Sequence, residues 1–89
     1  MTLEECRKEI DALDKELTHI LEQRMKVVAK VAAYKKENHM EIFDPRREQQ
    51  VLDKIAAMAQ YEELAPYLQK IYQCIMDESK QYEREYMKL

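Results

Sequence analysis

The sequence predicts an all-α fold, and three observations carry that prediction. There is no glycine and there are only two prolines in 89 residues, a composition that suits long helices rather than sheets with tight turns. Residues 3–34 hold two seams at heptad spacing: Leu3, Ile10, Leu17, Arg24, Val31, and Cys6, Leu13, Ile20, Val27, Tyr34. Nine of these ten positions carry residues that a helical core accepts, and Arg24 is the exception. Both prolines also stand where a helix can begin, Pro45 directly behind the capping residue Asp44.

Taken in order, the double seam predicts a first helix from about Leu3 to Asn38. The stretch "HMEIFDP" breaks the pattern, and a second helix follows from about Pro45 to Ala59, with Val51, Leu52, Ile55 and Met58 on one stripe. After the connector "QYEELAP", a third helix runs from Pro66 to near the C-terminus, with Leu68, Ile71, Tyr72, Ile75, Tyr82 and Tyr86 facing inward. At 1.5 Å per residue the first helix is roughly 50 Å long, far more than the width of a compact domain of this size. Two shorter helices cannot cover such a rod. The expectation is one domain, residues 1–89, paired with a second copy in an intertwined homodimeric helical bundle. A monomeric three-helix bundle with frayed ends is the alternative, and it leaves the seam bare.

The net charge of −3 argues against general affinity for nucleic acid or an anionic membrane. No apolar run approaches a membrane span. The start "MTLEECRKEID" is charged at once, unlike a secretory signal. A cytoplasmic location is expected, with Cys6 and Cys74 as reduced, mostly buried thiols. The cysteines have no metal-ligand spacing, and His19 and His39 are isolated. Neither a metal nor a cofactor is expected.

Arg24 on the seam raises the question of a site. A lone arginine there is usually a core-edge residue whose stem packs while its head reaches water. Lys35 lies eleven residues on, close to the same face and roughly 16 Å away. Two long cations reaching toward each other can bracket a small anion, and in an empty site they should repel. In the third helix the inward stripe is interrupted by Ser79, with Glu83 one turn later. At the start of the second, "DPRRE" adds Asp44, Arg47 and Glu48. Singly these read as a satisfied helix serine, a solvated acid and an ordinary charged first turn. Together they break the apolar faces of all three helices, which points to a polar pocket inside a bundle.

The order "RKEIDALD" (7–14), Arg24, Lys35, "DPRRE" (44–48), Ser79 and Glu83 resembles the all-helical chorismate mutases, from Arg7 to Glu83. The resemblance implies a three-helix subunit in an entwined homodimer. It also implies a substrate, chorismate, a cyclohexadiene with two carboxylates that is rearranged to prephenate for phenylalanine and tyrosine synthesis. By resemblance, Arg24 grips a carboxylate, and Lys35 contacts the ether oxygen and a carboxylate. Asp44, through its backbone N–H, and Glu48 receive the ring hydroxyl, with Arg47 in support. Ser79 lies near the ring carboxylate, and Arg7 is supplied by the other subunit. Spacing agrees on that last point, since Arg7 is roughly 25 Å along the rod from Arg24 and on a different face. Some members carry glutamine where this chain has Glu83, and others carry glutamate.

The implied reaction is an intramolecular Claisen rearrangement, which needs no nucleophile, metal or cofactor. It needs one substrate conformer held in place and donors aimed at the ether oxygen, where negative charge grows. Lys35 and a protonated Glu83 are the expected donors, with Arg24 as the third catalytic residue. Isochorismate-pyruvate lyases share the fold and a similar cationic pocket, so that activity is an alternative. A non-catalytic helical interaction module is another, in which the same residues are surface charges.

Overall fold

The computed structural model describes residues 1–88. Helix α1 spans Leu3–Glu37, α2 spans Pro45–Met58 and α3 spans Ala65–Met87, with a short 3₁₀ turn, Glu62–Leu64, leading into α3. Among the described residues there is no strand.

Local chemistry fixes the ends. The Thr2 hydroxyl accepts from the Glu5 backbone N–H at 3.1 Å, and the Glu5 carboxylate returns to the Thr2 N–H at 3.2 Å. This reciprocal cap satisfies two of the amides that a helix start leaves open. At the other end of α1 the Asn38 side chain donates to the Tyr34 carbonyl at 2.8 Å, and the Met40 N–H donates to the Lys35 carbonyl at 2.8 Å. With no glycine to take the left-handed turn, His39 takes it at φ 53°. Asp44 caps α2 as expected, accepting from the Arg47 N–H at 3.1 Å with Pro45 in the first turn.

Helix α3 packs against both α1 and α2. The molecule measures 53 × 27 × 14 Å. Its smallest dimension is little more than one helix diameter of about 10–12 Å, so the three helices form a single layer. The radius of gyration is 15.9 Å, against about 12 Å for a compact chain of this length. A layer this thin has almost no interior, and Ala32, Ile55 and Met76 are the only buried apolar residues among those described.

That thinness explains several departures from the sequence reading. Met58, Ile71 and Tyr82 are exposed rather than inward-facing. Ile71 and Tyr82 are eleven residues apart and share a stripe of α3 turned about 60–80° from Ser79; it lies on a flank that one layer leaves open. Cys74 is exposed and Cys6 only half-buried, so neither is the buried thiol expected. On α1 every residue from Arg7 to Ile20 is exposed, the apolar Ile10, Leu13, Leu17 and Ile20 included.

Candidate active site

One cavity of about 280 Å³ lies where the second half of α1, the start of α2 and the end of α3 converge. Its apolar walls come from Val27, Val28, Val31, Ile42, Val51 and Met76, and its polar lining from Arg24, Lys35, Asp44, Arg47, Glu48, Ser79, Lys80 and Glu83. Seven of the eight site residues named from sequence therefore share one cavity. The eighth, Arg7, is exposed and is not among its lining residues.

Helix spacing puts these groups together. Met76, Ser79, Lys80 and Glu83 follow the i, i+3, i+4, i+7 pattern of one helical face, and α1 sets Arg24, Val28, Val31 and Lys35 opposite them. The Arg24 guanidinium donates through Nη1 to Ser79 Oγ at 2.7 Å. The Ser79 hydroxyl passes its own hydrogen to the Ile75 carbonyl, also at 2.7 Å. One serine thus anchors the guanidinium while most of its N–H groups stay available for an anion.

Lys35 has two internal partners. Its ammonium donates to the Ile42 carbonyl at 2.8 Å, tying the connector that carries Asp44 to the end of α1. It also stands 3.1 Å from Glu83 Oε1. Glu83 is buried, at 5% exposure, and its Oε1 has no hydrogen-bond partner. The Lys35 contact there is an ion pair at 3.1 Å. A buried carboxylate oxygen without a hydrogen bond is costly and rare in a finished core, and here it lines a cavity.

Three polar residues of this region have no place in the sequence reading: Lys80, Gln73 and Asp77. Lys80 Nζ lies 2.8 Å from Glu48 Oε2 and 3.3 Å from Asp77 Oδ1, and 4.7 Å from the centre of the Phe43 ring. Gln73 Nε2 donates to Glu48 Oε1 at 3.1 Å and to Asp77 Oδ1 at 3.0 Å. The hydrogen bond to Glu48 chiefly raises the Lys80 pKa above its ordinary value, against the pull of burial and with help from Asp77. Hydrogen bonds from Gln73 and then Lys80 lower the pKa of Asp77. The signal for Lys80 was its position on the Met76–Glu83 face, which a search for apolar residues alone passes over.

Sequence comparison agrees with this geometry. The family model described as chorismate mutase type II matches residues 6–84. A chorismate mutase of Methanocaldococcus jannaschii is 27% identical over 86 residues, covering 96% of this chain and 87% of that protein. A bifunctional chorismate mutase/prephenate dehydratase of Buchnera aphidicola is 31% identical over 83 residues, covering 92% of this chain and 22% of that protein. Its counterpart in Aquifex aeolicus is 36% identical over 53 residues, 60% of this chain and 15% of that protein. The chain thus spans only 15–22% of the length of these two bifunctional relatives. With a family match over residues 6–84, the chain belongs to the chorismate mutase type II family.

Proposed function

We propose that this chain is a cytoplasmic chorismate mutase domain that converts chorismate to prephenate in aromatic amino acid biosynthesis, without metal or cofactor. The observation that carries the reading is the placement of Arg24 and Lys35 on the wall of one cavity. Arg24 has N–H groups left available beside Ser79, and Lys35 has a Glu83 contact that a substrate anion can replace.

The chemistry follows from the residues. Arg24 binds one carboxylate through the N–H groups that Ser79 leaves available. Lys35 turns from Glu83 toward the ether oxygen, whose charge grows as the C–O bond breaks, and binds a carboxylate as well. Glu83 in its protonated form donates to the same oxygen, since an ionised carboxylate only accepts. The Asp44 side chain is engaged in capping α2, which agrees with a role for its backbone N–H at the ring hydroxyl. Glu48 accepts that hydroxyl's hydrogen, and Arg47 supports the pair. Val28, Val31 and Val51 give the cavity apolar walls, beside which charges interact more strongly than in open water.

In this reading residues 1–89 form one domain that works as an entwined homodimer, and Arg7 from the second copy closes each site. The bare seam of α1 and the single-layer shape support that assembly. Arg24 and Lys35 are half-buried on the cavity wall, which disfavours an interaction module with solvated charges.

The deciding experiment follows the loss of chorismate absorbance with purified protein and identifies the product. Prephenate supports the reading, and no conversion of chorismate overturns it. Isochorismate in a parallel assay tests lyase activity. For the shared site, inactive Arg7→Ala and Arg24→Ala subunits are mixed. Each heterodimer should regain one intact site of its two, and no recovery despite proven subunit exchange removes Arg7 from the site.

A further inference from the structure

Lys80 is the one cation of the cavity to which neither the sequence pattern nor the family resemblance gives a part. Three elements hold it: Glu48 of α2 at 2.8 Å, Asp77 of its own helix at 3.3 Å, and the Phe43 ring of the connector at 4.7 Å. The Lys80 and Glu48 side chains are 17% and 16% exposed, so water screens their attraction only partly. Gln73 takes the other Glu48 oxygen at 3.1 Å. Each oxygen of a carboxylate can accept more than one hydrogen bond. Glu48 is therefore fixed at both oxygens and still able to accept another donor.

We propose that Lys80 is a positioning residue that aims the Glu48 carboxylate at the hydroxyl on the substrate ring. The inference rests on the chorismate reading above and extends it to a residue which that reading leaves idle. A glutamate side chain turns about three torsions, and a loosely held one seldom points where a small ligand needs it. Lys80 removes that freedom at Oε2. It also offsets the Glu48 charge, so that a dianionic substrate does not meet a bare carboxylate on entry. The Phe43 face, attractive to a cation, keeps the ammonium on the Glu48 side of α3. The raised pKa of Lys80 keeps it charged throughout the neutral range. Lys80 acts on the ring only through Glu48, by fixing the orientation in which the ring is held.

The test crosses two substrates with two variants. Wild type, Lys80→Met and Lys80→Arg are assayed on chorismate and on a chorismate analogue lacking the ring hydroxyl, with thermal melts to confirm folding. Lys80→Met should lower kcat/KM for chorismate by roughly 10- to 100-fold, the weight of a hydrogen bond to a charged group. On the analogue it should stay within about threefold of wild type, as expected for groups that no longer interact. Lys80→Arg, able to reach the same carboxylate, should recover most of the loss. Equal losses on both substrates, or no loss on either, overturn the proposal and leave Lys80 as a staple between α3 and α2. If Lys80→Met does not fold, Lys80→Gln carries the same comparison, since it keeps a donor without the charge. Wild type inactive on chorismate overturns the underlying functional reading instead, and the inference with it.

Discussion

The two halves of α1 are built on the same heptad seam, whose large apolar residues stay exposed in both, Val27 at 55% and Tyr34 at 61% included. Yet only the second half sets polar side chains against α3. From Arg24 to Lys35 the helix lies against α3, and Arg24 and Lys35 are engaged by Ser79, Glu83 and the Ile42 carbonyl. From Leu3 to Ile20 every seam residue but the half-buried Cys6 is exposed, Leu17 at 51%. Apolar periodicity alone therefore does not say where a helix is buried by its own chain. Polar residues placed on the seam identify the half that carries the site. The uncovered half instead shows what one chain lacks, because about 25 cal/mol per Å² of apolar surface is left in water.

Breaking the bare half should produce the largest effect. Leu17→Asp puts a charge in the middle of the exposed seam. If a second copy covers that seam, the variant forfeits roughly 1.5–3 kcal/mol of burial per copy and adds an unpaired charge to an interface. Sedimentation should then find monomers, with reduced helicity and no turnover. If the seam faces water in the working protein, the change stays within about 0.5 kcal/mol. An active, fully helical Leu17→Asp monomer would rule out the homodimer.

The engaged half is tested by Lys35→Ala. Losing a donor aimed at developing charge should cost turnover about 10²–10³-fold. Sequence reasoning alone, with Arg24 and Lys35 repelling across an empty site, suggests that either cation can be removed without harm to the fold, or even with a gain in stability. The pairings argue the opposite sign. Without Lys35 the buried Glu83 Oε1 loses its paired cation and has no hydrogen bond, and the fold should lose about 1–3 kcal/mol. A melting temperature at or above wild type would show that Glu83 readily takes another partner.

The same contrast marks what was legible in the sequence. Asp44 and Pro45 announced α2 because capping is a local matter, settled within one turn. Thr2 and Glu5 offered an equally local signal at the start of α1, which heptad counting passed over. Arg24 and Ser79 stood out because each interrupts an apolar stripe, and Glu83 because it follows Ser79 by one turn. Lys80 and Gln73 were not legible, because the Glu48 carboxylate they share lies on α2, and contacts between helices have no spacing along the chain. Ile71 and Tyr82 misled for a related reason. An apolar stripe records burial in the working assembly, and a single layer of three helices leaves that flank of α3 in water.

Glu83→Gln separates two parts that Glu83 can play. Glutamine keeps the shape and donates at every pH, but it cannot serve as a counter-ion for Lys35. If the protonated acid is the working donor, the variant should stay within about tenfold of wild type, the span of one general hydrogen-bond contribution. It should also hold its rate in alkali where the wild-type rate declines. If Glu83 matters only as a charge beside Lys35, the variant should lose activity evenly across pH. Identical alkaline declines in both proteins would assign the loss to another group.

The smallest effect belongs at the rim of the engaged half, where water weakens every charge. Gln73 first, then Lys80, hold the Asp77 carboxyl below its ordinary value of 3.8. A carboxyl depressed in the folded state stabilises the fold at pH above its unfolded value, and the contribution fades as pH falls through the folded one. Wild type should therefore melt slightly above Asp77→Asn at neutral pH, and the gap should close on acidification below about pH 4. Asp77 is exposed, so the gap should be small and should shrink further in salt. The half-buried Lys80–Glu48 contact one turn inward should resist salt. A neutral-pH gap that persists in strong acid would mean that the substitution acts through the helix backbone rather than through the charge.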